Sequence, residues 1–459
     1  MAIYFGTDGI RGVVNNFLTQ SLAYKCGNSL ARFNCNLKSN NKTSPTKILI
    51  GGDTRLSRTF LTCAFASGAI NAGAHVVDVG ICPTAGIAYL TKTFKFDFGV
   101  VISASHNSFE YNGIKIFNNQ GVKLNDSQEE DLEKLFSSQI NLPTEMLGSY
   151  TQKFSLTKKY QEYLISCCNT SLKGLTILLD CANGASYKIA PNVFKKLGAK
   201  VISSSSKNSW LKINKNCGST FSQNIKNLAK KYAADMAFAF DGDADRIIAC
   251  DEVGNILDGD IILFMLSKFL KESGKLLKNT VVGTTHTNKG IEKDLNKLGI
   301  KLIRTDIGDK YVINKIETKN LSLGGEKSGH IIFRQYSTTG DGILAAIKLA
   351  QMAKIFNKKF SELSFCNLYP QVNIDCVVKD KIKVINSQKL FKQIKTQQDK
   401  LGSDARVMVR YSGTEPKIRI MVESINYKQA QQSAEQLKKT VVEVDKNIDA
   451  VEVNKCVEL

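Results

Sequence analysis

Three times along this chain an apolar run ends at a glycine-rich turn that opens a helical pattern, and each time a second apolar run follows and stops at a polar loop. The first repeat runs from Lys47-Ile-Leu-Ile-Gly51 to Ser105, the second from Leu175-Thr-Ile-Leu-Leu-Asp180 to Asp241, and the third from Thr280-Val-Val-Gly283 to Glu326. Within the first, Leu56, Phe60, Leu61, Ala64, Phe65, Ala69 and Ile70 recur at helical spacing, as a helix packed on a sheet requires. Strand, helix and strand in alternation restrict the chain to mixed α/β layers with working loops at strand ends. The tail departs from this pattern. Val407-Met-Val-Arg410 and Ile418-Arg-Ile-Met-Val422 read as two strands across a turn, and Tyr427 to Val442 as an amphipathic helix, together a smaller α+β domain.

A chain of 459 residues exceeds what one core serves, so two to four domains are expected, with boundaries near Tyr150, Gly254 and Tyr369. The formal charge of +20 invites a polyanion-binding reading. The lysines, however, are scattered singly and in pairs such as Lys195-Lys196, Lys230-Lys231 and Lys358-Lys359, without a dense basic tract or interleaved aromatics. A solvated basic surface is the expectation, with no nucleic-acid partner. No run approaches the ~18 apolar residues of a membrane span, and Met1-Ala-Ile-Tyr-Phe-Gly6 lacks the layout of a secretory signal. A cytoplasmic location with no membrane partner follows as an expectation. The twelve cysteines contain no Cys-x-x-Cys pair, and thiols such as Cys63 on an apolar helical pattern are expected to be core residues.

The polar loops carry the chemistry. Ile102-Ser-Ala-Ser-His-Asn107 closes the run Phe98, Val100, Val101, Ile102 and presents Ser105 beside an imidazole. Asp241, Asp243 and Asp245 follow Met236-Ala-Phe-Ala-Phe240, and in an extended segment alternate positions project to one side, which converges three carboxylates suited to Mg²⁺. A calcium loop counted from Asp241 puts Glu252 at its twelfth position but Arg246 at the sixth, where the turn needs glycine. A phosphorylated Ser105 would carry nearly two negative charges and could join the aspartates around the metal. Arg11, from Gly6-Thr-Asp-Gly-Ile-Arg-Gly12, together with Lys115 and Arg246 supplies fixed cations for a transferring phosphoryl group. Lys115 is the first candidate base, its pKa lowered by burial and neighbouring arginines, and His330, ending Gly324-Gly-Glu-Lys-Ser-Gly-His330, is the second. Glu326 and Ser328 are then free to read sugar hydroxyls. In Arg410-Tyr-Ser-Gly-Thr-Glu-Pro416, Ser412 and Thr414 offer hydroxyls and Gly413 admits an anion to the backbone, while Arg410 and Arg419 balance its charge. A serine hydrolase is disfavoured because Ala104-Ser-His106 lacks the Gly-x-Ser-x-Gly elbow.

These five motifs, in this order over nearly the whole length, resemble the α-D-phosphohexomutase superfamily. The resemblance is greatest to its bacterial branch acting on glucosamine phosphates, through Leu179-Asp-Cys-Ala-Asn-Gly-Ala-Ser-Tyr-Lys-Ile-Ala-Pro191, Ile213-Asn-Lys-Asn-Cys-Gly-Ser-Thr220 and Thr338-Thr-Gly-Asp-Gly-Ile343. It implies four domains around a central cleft, three similar mixed α/β domains (1–152, 153–254, 255–367) and the α+β domain (368–459). It further implies that Ser105 carries the phosphoryl group, that Ser105 and the three aspartates hold one Mg²⁺, and that Glu326 and Ser328 contact the sugar. Arg410, Ser412, Gly413, Thr414 and Arg419 would bind the non-reacting phosphate. The implied reaction interconverts glucosamine 6-phosphate and glucosamine 1-phosphate through a 1,6-bisphosphate that also serves as activator, in a monomer or homodimer, and feeds UDP-N-acetylglucosamine and cell-wall synthesis. A phosphoglucomutase or phosphomannomutase on neutral hexoses is the alternative. Three positions depart from the superfamily pattern: Ser108 stands where proline is usual, Thr285-His-Thr-Asn288 where a Met-Ser-Asn turn is usual, and Lys327 where Gln, Asn or Met is commoner. Pointed inward, Lys327 would repel a substrate ammonium.

Overall fold

The computed structural model describes residues 4–6, 8–37, 45–137, 147–412 and 415–445. The chain packs as two units, Met1–His286 with Gly299–Phe365, and Thr287–Leu298 with Cys366–Leu459. The first unit holds three sheets. In spatial order the seven-stranded sheet runs Phe5–Gly6, Gly9–Val13, Tyr111–Asn118, Phe98–Ile102, Lys47–Gly52, His75–Ile81, Ser149–Gln152. A five-stranded sheet follows the order Ile256–Leu257, Ile247–Asp251, Met236–Phe240, Thr176–Asp180, Lys200–Ser204, and a four-stranded sheet the order Lys301–Thr305, Thr280–Thr284, Leu323–Gly325, Ile331–Phe333.

One arrangement recurs in all three. Strands pair in parallel at the centre, and the last parallel strand hands over through a loop to an antiparallel neighbour. Residues 103–110 make this connection in the first sheet, 241–246 in the second and 326–330 in the third. The loop-bearing strands Phe98–Ile102 and Met236–Phe240 are buried at every position, because helices cover both faces of a parallel sheet and leave no polar side. The apolar runs ahead of Ser105 and Asp241 are therefore continuous instead of alternating.

Helix Ser57–Asn71 buries Leu61, Ala64, Phe65 and Ala69 as the spacing predicts, but Leu56 and Phe60 are exposed. Leu56 precedes the first turn, and Phe60 lies about 40° beyond Ala64, outside the edge of the covered stripe. Cys63, expected in the core, is exposed for the same reason, about 200° around the helix from Leu61. Cys26, Cys82, Cys181, Cys217, Cys250 and Cys376 are buried. The helix crosses Gln20–Leu37 at backbone contact: a Cβ at Gly27 would overlap the carbonyl of Phe65, and one at Gly68 the carbonyl of Tyr24.

In the second unit a three-stranded antiparallel sheet, Gln371–Val377, Lys417–Glu423, Arg406–Tyr411, packs against helices Gln388–Leu401 and Tyr427–Val444 around Ile374, Ile420, Ala434 and Leu437. The expected strand pair and amphipathic helix are both present. No helix among the described residues is long and apolar enough to cross a membrane.

Gly68→Ala should cost about 1–3 kcal/mol, because overpacking at a backbone contact forces the two helices apart. Thermal melting of the purified variant checks this, and an unchanged midpoint would contradict the contact.

Candidate active site

Ser105 follows a fully buried strand and sits at φ +52°, in the left-handed region that costs a residue with a Cβ. That conformation aims its hydroxyl at the second sheet, where Oγ donates to Oδ2 of Asp241. The two residues are 136 positions apart.

Asp241, Asp243 and Asp245 each offer a carboxylate oxygen within 4.8 Å of the others, and all three are buried. They converge through a turn, not through strand alternation as the sequence suggested: the strand ends at Phe240, and Ala244 turns the chain at φ +57°. Thr84 fixes Asp243 by a hydroxyl bond of 2.6 Å to Oδ2 and an amide bond of 3.0 Å to its carbonyl. Burial, then Asp245 and Asp243, push the pKa of Asp241 well up. For Asp245 burial acts in the same direction, but Lys115, His330 and Arg246 outweigh it and hold the carboxylate well below its ordinary range.

Lys115 reaches this group from the strand Tyr111–Asn118, with Nζ 2.9 Å from Asp243, 3.2 Å from Asp245 and 3.0 Å from Asp8. The expectation of a lowered pKa is corrected here. Burial does pull it down, but Asp243, Asp245 and Asp8 together raise it well above an ordinary lysine. Lys115 is thus built as a fixed cation. Asp8 also takes Arg11 and Lys123, and Lys123 goes on to Asp309.

The third loop is sewn to the second by backbone. Ile247 N–H donates to Gly329 at 3.0 Å, Gly342 N–H to Ala244 at 3.0 Å, and Arg246 and His330 form an isolated bridge. His330 lies between Asp245, 3.8 Å from Nδ1, and Asp309, 3.7 Å from Nε2. Burial opposes its charged form, but these carboxylates and Glu326 raise its pKa. The Gly340 amide donates to Nε2 at 2.9 Å, which requires a lone pair there and leaves the ring proton on Nδ1, toward Asp245.

Glu326 is not wholly free: its Oε1 accepts from Gly308 N–H at 3.0 Å, while Ser328 is exposed. Lys327 leans toward Asp258, 3.9 Å away. Arg246 bonds His106 Nδ1 through Nη1 at 2.9 Å, and burial followed by Arg246 and Arg11 pushes that imidazole down to about 4.

Four buried atoms in this group have no hydrogen-bond partner: Oδ1 of Asp243, Oδ1 of Asp245, Nε of Arg11 and Nε of Arg246. Two acceptors among carboxylates fit a cation, and two guanidinium donors beside them fit an anion. With the Ser105 hydroxyl, the three aspartates are the oxygen donors a hard divalent ion takes.

In the second unit Arg410 and Arg419 face each other across adjacent strands, and burial followed by Arg419 lowers the pKa of Arg410. Arg419 also reaches Glu415 at 2.8 Å and Asp375 at 3.8 Å. Ser412 is buried, its amide on Lys417 O and its carbonyl on Lys381 Nζ, each at 2.8 Å. Gly413 and Thr414 lie outside the described residues.

The first unit therefore brings Ser105, Asp241, Asp243, Asp245, Lys115, Arg11, Arg246 and His330 into one group, linked through the contacts above. Asp8, Thr84, Lys123 and Asp309 were not foreseen. Asp8 lies within a quoted motif and was legible there; Thr84 and Lys123 carry no local signal.

A serine hydroxyl on a triad of carboxylates, ringed by cations, on three like sheets defines a phosphosugar-mutase type of fold and site. Four family descriptions cover the chain in order. Phosphoglucomutase/phosphomannomutase α/β/α domain I matches residues 2–142, domain II 158–254, domain III 258–369 and the C-terminal domain 374–440. Phosphoglucosamine mutase of Thermoanaerobacter sp. (strain X514) is 43% identical over 443 residues, covering 95% of this chain and 98% of that protein. The Clostridium acetobutylicum phosphoglucosamine mutase is 43% identical over 430 residues, covering 92% and 95%. Among solved structures, a phosphoglucomutase/phosphomannomutase family protein of Burkholderia thailandensis superposes with a TM-score of 0.81 at 20% identity, covering 98% of this chain and all of that one. An Aspergillus fumigatus N-acetylphosphoglucosamine mutase, in complex with GlcNAc-6P and magnesium, gives 0.71 at 17%, covering 97% and 96%. The chain belongs to the phosphoglucomutase/phosphomannomutase family, in its phosphoglucosamine mutase branch, and is an isomerase.

Two outcomes follow. Thr84→Val removes a donor from Asp243 and should weaken Mg²⁺ binding about tenfold, by calorimetric titration. His106 is held neutral in the folded, metal-free protein down to about pH 4, whereas in the unfolded chain it protonates near 6.5. Stability is therefore lost as pH falls through that window, and His106→Asn should lose less between pH 7 and 4.5 in urea titrations.

Proposed function

We propose that this chain interconverts glucosamine 6-phosphate and glucosamine 1-phosphate, with Ser105 as phosphoryl carrier. The observation that carries this reading is the buried Ser105 hydroxyl on Asp241, beside carboxylate oxygens and guanidinium nitrogens that make no hydrogen bond. An acidic triad with open oxygens needs a cation, and unsatisfied arginine donors beside it need an anion. The phosphoglucosamine mutase relatives support the amino-sugar substrate.

Ser105, Asp241, Asp243 and Asp245 would hold Mg²⁺, which supplies charge neutralisation on the transferring phosphoryl. Phosphorylated Ser105 yields its phosphoryl to a sugar hydroxyl: the serine P–O bond breaks, the sugar O–P bond forms, and the hydroxyl proton ends on the serine oxygen. The product is a 1,6-bisphosphate. It turns over, and Ser105 recovers the other phosphoryl by the reverse exchange. Lys115, Arg11 and Arg246 act as fixed cations around the group in flight, because its charge spreads over the equatorial oxygens. His330 takes this proton from the sugar hydroxyl in this reading and the serine oxygen regains one as its P–O bond breaks, since Asp245 and Asp309 favour the charged imidazole in between. Accepting at Nε2 costs it the Gly340 bond, which tempers its basicity. Glu326, through its second oxygen, and Ser328 read sugar hydroxyls. Arg410, Ser412, Gly413, Thr414 and Arg419 bind the idle phosphate. The segments 1–152, 153–254, 255–367 and 368–459 act as the four domains, in the cytoplasm.

Ser105→Ala should lower turnover of glucosamine 1-phosphate by at least about a thousandfold with an unchanged melting midpoint. Intact mass should show one phosphate on active wild-type protein and none on the variant. Turnover strongly favouring glucose 1-phosphate or mannose 1-phosphate would reject the amino-sugar assignment.

A further inference from the structure

We propose that Arg55 is the positioning residue that holds the Ser105 loop in its working shape, an inference that rests on the carrier role of Ser105. Arg55 follows the strand Lys47–Gly52, and its side chain and that of Asp53 are wholly buried. All five guanidinium N–H donors are committed. Nε donates to Asp53 Oδ2 at 2.9 Å. Nη1 donates to the carbonyls of Ser108 and Tyr111, the latter at 3.0 Å, and Nη2 to those of Ser105 at 3.0 Å and Asn107 at 2.7 Å.

The ring closes behind it. Asp53 accepts from the Arg55 amide at 3.0 Å and from the Ser103 hydroxyl at 2.6 Å, and Ser103 Oγ accepts from the Ser105 amide at 2.9 Å. From the turn beyond the strand Lys200–Ser204, Asn214 Nδ2 donates to the same Ser105 and Asn107 carbonyls at 2.8 and 2.9 Å. Four carbonyls turned toward one point repel one another, and a planar fork of donors answers them where the three donors of a lysine cannot. Released from that fork, the carbonyls would turn away, Ser105 would relax from φ +52°, and its hydroxyl would swing off Asp241. Arg55 itself touches no reacting atom. It acts through the loop.

The test compares wild type, Arg55→Lys and Asn214→Ala as full chains, reading kcat and KM for glucosamine 1-phosphate and amide hydrogen exchange over residues 103–111. A displaced nucleophile predicts kcat down roughly tenfold to a hundredfold in Arg55→Lys and about threefold in Asn214→Ala, with KM nearly constant. Exchange over 103–111 should accelerate in both while distant peptides stay unchanged. Wild-type kcat and exchange in folded Arg55→Lys, or a loss confined to KM, would overturn the proposal. Should Arg55→Lys not fold, Asn214→Ala, which removes no charge, decides by the same readouts. A wild type without turnover on any phosphosugar would reject the mutase reading alone, and loop exchange would still decide the clamp.

Discussion

Three carboxylates drawn out of water onto one point are the constraint on which the rest of this structure depends. Burial and mutual repulsion both oppose such a cluster, so it persists only with compensating charge. Lys115 and Arg246 supply part of it, and the oxygens of Asp243 and Asp245 that accept no hydrogen bond mark what they leave over. Hence Lys115 is held as an ammonium, Asp241 is driven toward its neutral form, and the Ser105 hydroxyl rests on Asp241. A divalent ion satisfies all of these demands at once.

The cluster also explains why three sheets are tied by backbone where they meet. Polar loops far from their own cores cannot rely on packing for precision, and here hydrogen bonds do that work: Thr84 to Asp243, Ile247 to Gly329, Gly342 to Ala244. Small residues make the approach possible. A Cβ at Gly242 would meet the carbonyl of Ser105 at 2.5 Å, and one at Gly329 would overlap the backbone of Ile247. In the second unit like charges also stand close, Arg410 opposite Arg419, and there Glu415 and Asp375 balance Arg419.

Much of the fold was legible because apolar runs and turn residues report local physics. The alternation of strands and helices, the loops at strand ends and the α+β tail all follow from it. Where local reasoning went wrong, a neighbour distant in sequence was responsible. Lys115 looked like a depressed lysine among arginines until Asp8, Asp243 and Asp245 arrived around it. Cys63 kept helical company with core residues but sits on the wrong side of its helix.

By itself the sequence determined the layers, the loops that carry chemistry and the residue types those loops present, because each depends on spacing within a dozen positions. Only the tertiary structure decided which charges face one another, which atoms lack hydrogen bonds, and that Arg55 and Asn214 grip the Ser105 loop from two separate loops. Electrostatics and hydrogen bonding act through space at a few ångströms, and no rule of spacing along a chain reports which segments will come that close.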